Sequence, residues 1–313
     1  MSNIDPIKSM TDAKNKNTEN EYKFYLGMRD YYIHVEDKGN AGFYEEIIKK
    51  IYPSWNTTKT FKVFANYNGK NRVVGKFFED SITFTSSLNG KHYFIIDKDF
   101  NDKFPNRKIK HLGHLPTSYN ELKEIKEFRI LKKYCIENYF LDENLIKNVS
   151  KNCSSCIDKD LEIYSEYYKT ILKHVKILSQ FYMFNQFFQL SESKAPDRYL
   201  DCNLLRLRSE EIEKLEVRLE KEYNNNKAIL KEEITCMVCE EYSKMKDKIF
   251  GAFTEKDIDG KVALDLILKM NKFKLKDFSN HLTRECFSRH MIAYVQNNAD
   301  YIFEELRNDL NLT

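Results

Sequence analysis

The amino-acid sequence predicts an α/β protein: a mostly parallel sheet flanked by helices, with an additional helical lobe. Three observations carry that prediction. Hydrophobic runs rich in Ile, Val, Tyr and Phe recur as YYIHVED at 31–37, YFIIDKDF at 93–100 and CIENYF at 135–140, and each ends in carboxylates. Strand-like and helix-like patterns alternate through the first half of the chain, the rhythm of parallel strands joined by helical crossovers. Beyond residue 142 the apolar positions change to helical spacing.

Residues 1–21 are rich in Asn, Lys, Asp, Ser and Thr and poor in apolar side chains, which predicts a disordered arm. The core is expected over 22–145. Within it Tyr31–Val35 reads as a first strand, Phe43–Ile51 as a helix and Phe61–Ala65 as a second strand. Val74–Ser81 follows as a short helix, Tyr93–Ile96 as a third strand and Phe128–Ile136 as a further strand. Their continuous apolar character is that of strands buried on both faces. Residues 146–250 form the expected helical lobe, for dimer, partner or substrate contact. In its first part Leu161, Tyr164, Tyr168, Ile171, Val175 and Leu178 share one helix face. From 203 to 250 a charged helix or hairpin is expected, with Leu205, Ile212, Leu215 and Leu219 as its seam and a break at the asparagines 224–226. Residues 251–313 complete the core and contain the turn-like DIDGK at 257–261 ahead of the apolar VALDLIL.

Composition narrows the function. Lys and Arg number 51 against 48 acids, a net charge of +3 that selects no partner by itself. Only 9 glycines and 5 prolines occur, and no phosphate-cradling glycine motif of the Walker or Rossmann kind, which argues against an autonomous ATPase or dehydrogenase. Seven scattered cysteines, an odd number, together with the lack of a signal peptide or membrane-length apolar run, point to a reducing cytoplasm and no membrane.

The acids are the chemical signal. Glu36, Asp97 and Asp99 follow apolar strands whose carboxyl ends share one rim of a parallel sheet, where such sheets bind ligands. In an extended Asp97-Lys98-Asp99 segment, the two acids would point together and the lysine away. Glu137 adds a fourth carboxylate or closes a salt bridge beneath the site. Such hard oxygen donors suit Mg²⁺, with Mn²⁺ as a substitute, and thereby phosphodiester chemistry. The pairs Cys153/Cys156 and Cys236/Cys239 have the spacing of half zinc sites, but their wide separation favours ordinary thiols. His111 and His114 of HLGHL are within reach of a substrate, with loop packing as the plainer role.

The segments VEDKGNAGFY at 35–44, IIDKDF at 95–100, YCIENYFLD at 134–142 and DGKVALDLIL at 259–268 resemble the Toprim-like family of bacterial phage-defence effectors, the AriB-like proteins of PARIS systems. The resemblance implies a Toprim-like sheet. It also implies Glu36 as metal ligand or general base, Asp97 and Asp99 as metal ligands, and Glu137 as ligand or water-orienting acid. Lys38 and Lys261 are implied contacts to the phosphate backbone. Many relatives carry Gly after the first glutamate and Asp four positions after it, where this chain has Asp37 and Asn40. The expected function is a Mg²⁺-dependent nuclease, toxic when active, that cleaves host transfer RNA after release from an ABC-type ATPase sensor, as a homodimer. Two alternatives are a double-stranded DNA nuclease or nickase on the same carboxylates, and a non-catalytic Toprim-like interaction scaffold.

Overall fold

The computed structural model of the chain describes residues 28–37, 40–67, 69–84, 90–99, 102–103, 108–109, 117–155, 164–190, 224–225, 228, 253–279, 281–298 and 300–312. The chain divides into two compact units. The first comprises Met1–Asp97, Pro105–Ile130 and Leu306–Thr313, and the second Lys98–Phe104 and Leu131–Glu305.

The described strands of the first unit are β1 (Tyr31–Val35), β2 (Phe61–Phe64), β3 (Lys91–Ile96), β4 (Lys108–Ile109), β5 (Thr117–Ser118) and β6 (Phe128–Ile130). Four of them form an all-parallel sheet in the order β2-β1-β3-β6, and β4 and β5 make a separate antiparallel pair. The helices are α1 (Ala41–Ile51), α2 (Lys70–Phe84) and α3 (Tyr119–Lys123). The α/β expectation holds at this level. All five residues of β1 are buried, so its two faces both need cover and its sequence has no polar alternation. On one face Val73, Val74 and Phe77 of α2 and Leu122 of α3 pack with Phe94, Ile96 and Phe128. On the other, Trp55 stacks on Tyr31 at 3.9 Å and the Arg129 guanidinium lies 4.8 Å over the Tyr93 ring. Residues near the C-terminus belong to this unit and bind it through backbone groups. Arg307 Nε donates to the Ile51 carbonyl at 2.9 Å, and Arg129 Nη2 donates to the Asn311 carbonyl at 3.0 Å. Gly90 enters β3 at φ 145°, where a Cβ would come within 2.6 Å of the Tyr32 ring and 2.7 Å of the Arg29 carbonyl; only glycine fits there.

The second unit is helical where described. It contains a 3-10 turn at Ile136–Phe140, α4 (Glu143–Asn152), α5 (Tyr164–Leu190), a second 3-10 turn at Glu255–Asp257, α6 (Gly260–Lys274), α7 (Arg284–Asn298) and the start of α8 (Asp300–Leu310). The strand expected over 128–136 is therefore shorter, ending at Ile130. Beyond it the backbone finds other partners: Tyr134 N–H donates to the Lys256 carbonyl at 2.8 Å, and the Tyr134 carbonyl accepts from Asp99 N–H at 2.9 Å. Asp142 starts α4 by accepting from Leu145 N–H at 2.8 Å, which satisfies one of the donors a helix leaves open at its first turn. In α5 the spacing read from sequence holds, since Tyr168, Ile171, Val175 and Leu178 are all buried. The arm at 1–21 and most of 203–250, including Leu205, Ile212, Leu215 and Leu219, lie outside the described residues. Asn224, Asn225 and Ala228 are helical, so no break falls at Asn224 or Asn225. Among the described residues no helix is long and apolar enough to cross a membrane.

Two histidines stand at core positions of the sheet. His34 of β1 and His92 of β3 are 0% and 7% exposed, and their rings share a hydrogen bond of 3.3 Å between Nε2 and Nδ1. The other ring nitrogen of His34 is 2.7 Å from the Tyr67 hydroxyl. His34 stacks on Phe94 at 4.4 Å and His92 on Tyr32 at 4.6 Å. Burial, then the charges of His92 and Lys76, hold His34 well below the usual imidazole range; burial and Lys76 lower His92 to about 4. The folded pKa values lie below those of the unfolded chain. The stabilisation is thus complete above about pH 6.5 and is lost as pH falls from there towards 4. Urea unfolding followed from pH 7.5 to 4.5 should show a pH slope steeper in the wild type than in His92→Phe by about 1.4 kcal/mol per pH unit below pH 6.5. Parallel curves for the two proteins would refute the buried neutral assignment.

Candidate functional site

The order β2-β1-β3-β6 sends the chain from β1 to one side of the sheet and from β3 to the other. The boundary between β1 and β3 is therefore a topological switch point, and open α/β sheets bind ligands outside the carboxyl ends of their strands at such points. Val35 pairs with Ile95, so the two strands end almost level. Glu36 follows one and Asp97 the other. Asp97 N–H donates to Glu36 Oε2 at 3.3 Å, which orients the half-buried glutamate, and Asp97 itself is 3% exposed. The Tyr44 hydroxyl of α1 donates to Asp37 Oδ2 at 3.1 Å, so the acid after Glu36 has a structural partner within its own unit. Carboxylates are hard oxygen donors of the kind Mg²⁺ takes, one or two at a time with water and substrate phosphate completing its shell, and the contact between these two residues runs through the Asp97 backbone.

Asp99, Glu137 and Lys261 belong to the second unit. Asp99 has φ 46°, in the left-handed region, so the alternation expected of an extended Asp97-Lys98-Asp99 segment does not apply. Lys98 does not turn to solvent. It is 6% exposed, and its Nζ lies 2.7 Å from Asp257 Oδ1 and 3.5 Å from Asp102 Oδ2. Asp257 Oδ2 accepts from the N–H and hydroxyl of Thr254, both at 2.9 Å, and lies 3.4 Å from Lys103 Nζ. Burial pushes Asp257 up, but the Lys98 and Thr254 hydrogen bonds and the two lysine charges outweigh it and hold the carboxyl below its ordinary value.

The turn-like DIDGK starts α6. Asp259 caps the helix, accepting from Lys261 N–H at 3.0 Å and Val262 N–H at 3.1 Å. Its burial raises its pKa against those hydrogen bonds, and the Asp99 charge adds to the rise. Lys261 is half-buried in the first turn of α6. Glu137 is not at a strand end, because β6 has already stopped; it sits in the 3-10 turn, 4% exposed. Its neighbour Asn138 joins two distant motifs. Asn138 Oδ1 accepts from Cys135 N–H at 3.1 Å, and its Nδ2 donates to the Ile258 carbonyl at 3.0 Å.

The predicted residues are thus divided between the units: Glu36 and Asp97 in the first, Asp99, Glu137 and Lys261 in the second. Among the described residues no group of three or more His, Cys, Asp or Glu side chains is placed to hold a metal ion. Lys38, His111, His114, Cys156, Cys236 and Cys239 lie outside the described residues. Cys135, Cys153 and Cys286 are free thiols, and burial raises Cys153 above the ordinary range. Sequence reasoning missed Lys98, Asp257 and Asn138. A turn signal at DIDGK marked the neighbourhood of Asp257, but no local pattern marks a partner more than a hundred residues away. No family model, curated protein or solved structure matches the chain.

Gly260 is where the two motifs touch. A Cβ there would meet Asn138 Oδ1 at 2.6 Å and the Asn138 nitrogen at 2.8 Å. Alanine otherwise favours a helix by about 1 kcal/mol over glycine. Here the overlap wins, and Gly260→Ala should destabilise the chain by about 1–3 kcal/mol. Asn138→Ala should not restore it, because the backbone nitrogen remains in the way. A Gly260→Ala protein with an unchanged or raised melting temperature would contradict this packing.

Proposed function

We propose that the chain is a metal-dependent nuclease of the Toprim-like kind, an anti-phage effector that cleaves host transfer RNA. The observation that carries the reading is the pairing of Glu36 with Asp97, two acids at the switch point between β1 and β3 where the Asp97 backbone N–H donates to the Glu36 carboxylate at 3.3 Å. Structural acids at strand ends occur in many proteins, but this pair lies where parallel sheets bind ligands and has the donor chemistry of a magnesium site.

In this reading Glu36 and Asp97 hold Mg²⁺, and the resemblance adds Asp99 and Glu137 to the same role. Mg²⁺, when bound, supplies positive charge to the scissile phosphate and acidifies the attacking water. The Asp97 amide fixes the orientation of the Glu36 carboxylate before substrate arrives, so less reorganisation is left to the reaction. Lys38 and Lys261 contact the phosphate backbone. Transfer RNA as substrate, an ABC-type ATPase as sensor and a homodimer as the active form follow from the resemblance in 35–44, 95–100, 134–142 and 259–268, and the cytoplasm as the place of action from the seven scattered cysteines.

Brief expression in cells, with and without the neighbouring operon gene, tests this when RNA ends and DNA breaks are both sequenced. Wild type should produce discrete transfer-RNA cuts. Glu36→Ala and Asp97→Ala should each lower cleavage by roughly 10²-fold or more while leaving the thermal melt within a few degrees. DNA breaks in place of RNA ends would assign the same carboxylates to a DNA nuclease. Undiminished toxicity in both variants would leave an interaction scaffold as the surviving reading.

A further inference from the structure

We propose that residues 306–312 form a reversible clasp, which docks on the first unit at the end of α1 and on β6 and releases as one piece while the parallel sheet stays folded. The clasp is independent of the nuclease reading and uses none of the acids assigned to it.

The segment reads LRNDLNL. Leu306 and Leu310 stand four apart on one face of α8, and both are fully buried. After Leu310 the helix stops, because Asn311 takes a left-handed φ of 39°, a conformation asparagine tolerates at a helix end. Its N–H returns to the Arg307 carbonyl at 2.8 Å. The next residue, Leu312, is again buried, at 1% exposed. The segment is thus a hook with three leucines inside and a turn at its tip.

Side chains hold the hook. Arg129 of β6 donates from Nε and Nη2 to the Asn311 carbonyl at 3.2 and 3.0 Å. At the end of α1, the Tyr52 hydroxyl accepts from Leu312 N–H at 2.9 Å and donates to the Arg307 carbonyl at 3.4 Å, while Arg307 Nε donates to the Ile51 carbonyl at 2.9 Å. Burial raises the Tyr52 phenol above its ordinary range, against the Leu312 hydrogen bond and the charges of Arg307 and Arg129, so its proton stays in place at neutral pH.

The attachment differs in kind from that of the strands. The sheet runs β2-β1-β3-β6, and residues 306–312 take no place in it, so their release breaks no strand pairing. The chain leaves this unit after Ile130 and returns only at Leu306. Burial of three leucines is set against the ordering of the whole segment, and a piece held in this way opens at lower free energy than the sheet. Release has a visible consequence at Trp55, the chain's single tryptophan, which is 4% exposed. Its ring lies 3.9 Å from that of Tyr31 and 4.8 Å from that of Tyr52. Once Leu312 and Arg307 depart, the Tyr52 ring is free to leave Trp55.

Hydrogen exchange by mass spectrometry and acrylamide quenching of Trp55, both on the full chain, test the clasp. Wild type is compared with Tyr52→Phe, which keeps the ring but loses the hydroxyl, and with Arg129→Gln; circular dichroism checks the fold of each. In wild type the amides of 306–312 should be protected, yet exchange faster than those of β1 and β3. In both variants that exchange should rise roughly 3- to 10-fold and Trp55 quenching should increase, with β1 and β3 unchanged. Exchange of 306–312 in step with β1 and β3 in all three proteins would overturn the clasp, because the segment would then open only with the sheet. Unprotected amides at 306–312 in wild type would overturn the docking itself. Trp55 quenching that stays constant while 306–312 opens would reject the link through Tyr52. Loss of fold in both variants would make the segment an integral part of the unit and reject its separate release.

Discussion

The parallel register of β1 against β3 is the constraint on which the first unit depends. It buries both faces of β1, which is why Tyr31–Val35 lacks a solvent-facing alternation. It also sets the strand ends nearly level, so that the residues leaving them, Glu36 and Asp97, meet through a backbone hydrogen bond rather than diverge. The side-chain contacts across the sheet follow from the same register. Tyr32 pairs with His92 and His34 with Phe94, which puts four rings on one face and allows the diagonal His34–His92 contact. A slip of one residue would turn every one of these groups to the opposite face.

Two polar pairs sit inside otherwise apolar packing, and physical chemistry treats them differently. The histidines are buried as neutral rings, so their burial costs desolvation of a dipole rather than of a charge and is offset by stacking and by the Tyr67 hydroxyl. Lys98 and Asp257 carry full charges, whose removal from water is offset only if the geometry is good and the remaining donors and acceptors are filled. Asp257 meets that condition with two lysines and both donors of Thr254. Such an arrangement adds little net stability over an apolar substitute, yet it allows few alternative geometries.

Local pattern made much of the sheet legible in sequence. The bounds of β1 agree with the reading, and β2 and β3 differ from it by one residue and two at a single end, because β-branched and aromatic runs between turns leave little choice. The helix read at 74–81 extends over Lys70–Phe84, and its N-terminal extension begins with the polar residues Lys70, Asn71 and Arg72, which an apolar criterion passes over. The strand read through Ile136 failed for a tertiary reason. Apolar residues beyond Ile130 are buried, but in a 3-10 turn at Ile136–Phe140, and Tyr134 just ahead of it bonds through its backbone to Lys256, far along the chain. The candidate site divides in the same way. Glu36 and Asp97 were legible because strand ends in parallel sheets are where ligands bind. Lys98 was not, because a lysine in a lysine-rich chain reads as surface, and its partner Asp257 lies 159 positions away.

The segments that prompted the functional reading contain two kinds of residue. Asn138 and Gly260 are 122 positions apart in the chain, yet the glycine has room for no side chain because the asparagine lies against it. Asn138 spends its amide on Cys135 N–H and the Ile258 carbonyl. Packing alone therefore accounts for both residues, and neither needs chemistry to explain it. Glu36 is the opposite case. It is half-buried at the rim, where its carboxylate accepts from Asp97 N–H, and the pairing of β1 with β3 ends one residue before it at Val35 and Ile95. The later segments are thus explained by packing, whereas the proposed activity rests on the strand-end acids. A change at Gly260 therefore acts through folding, whereas under the proposed function a change at Glu36 acts on the site itself.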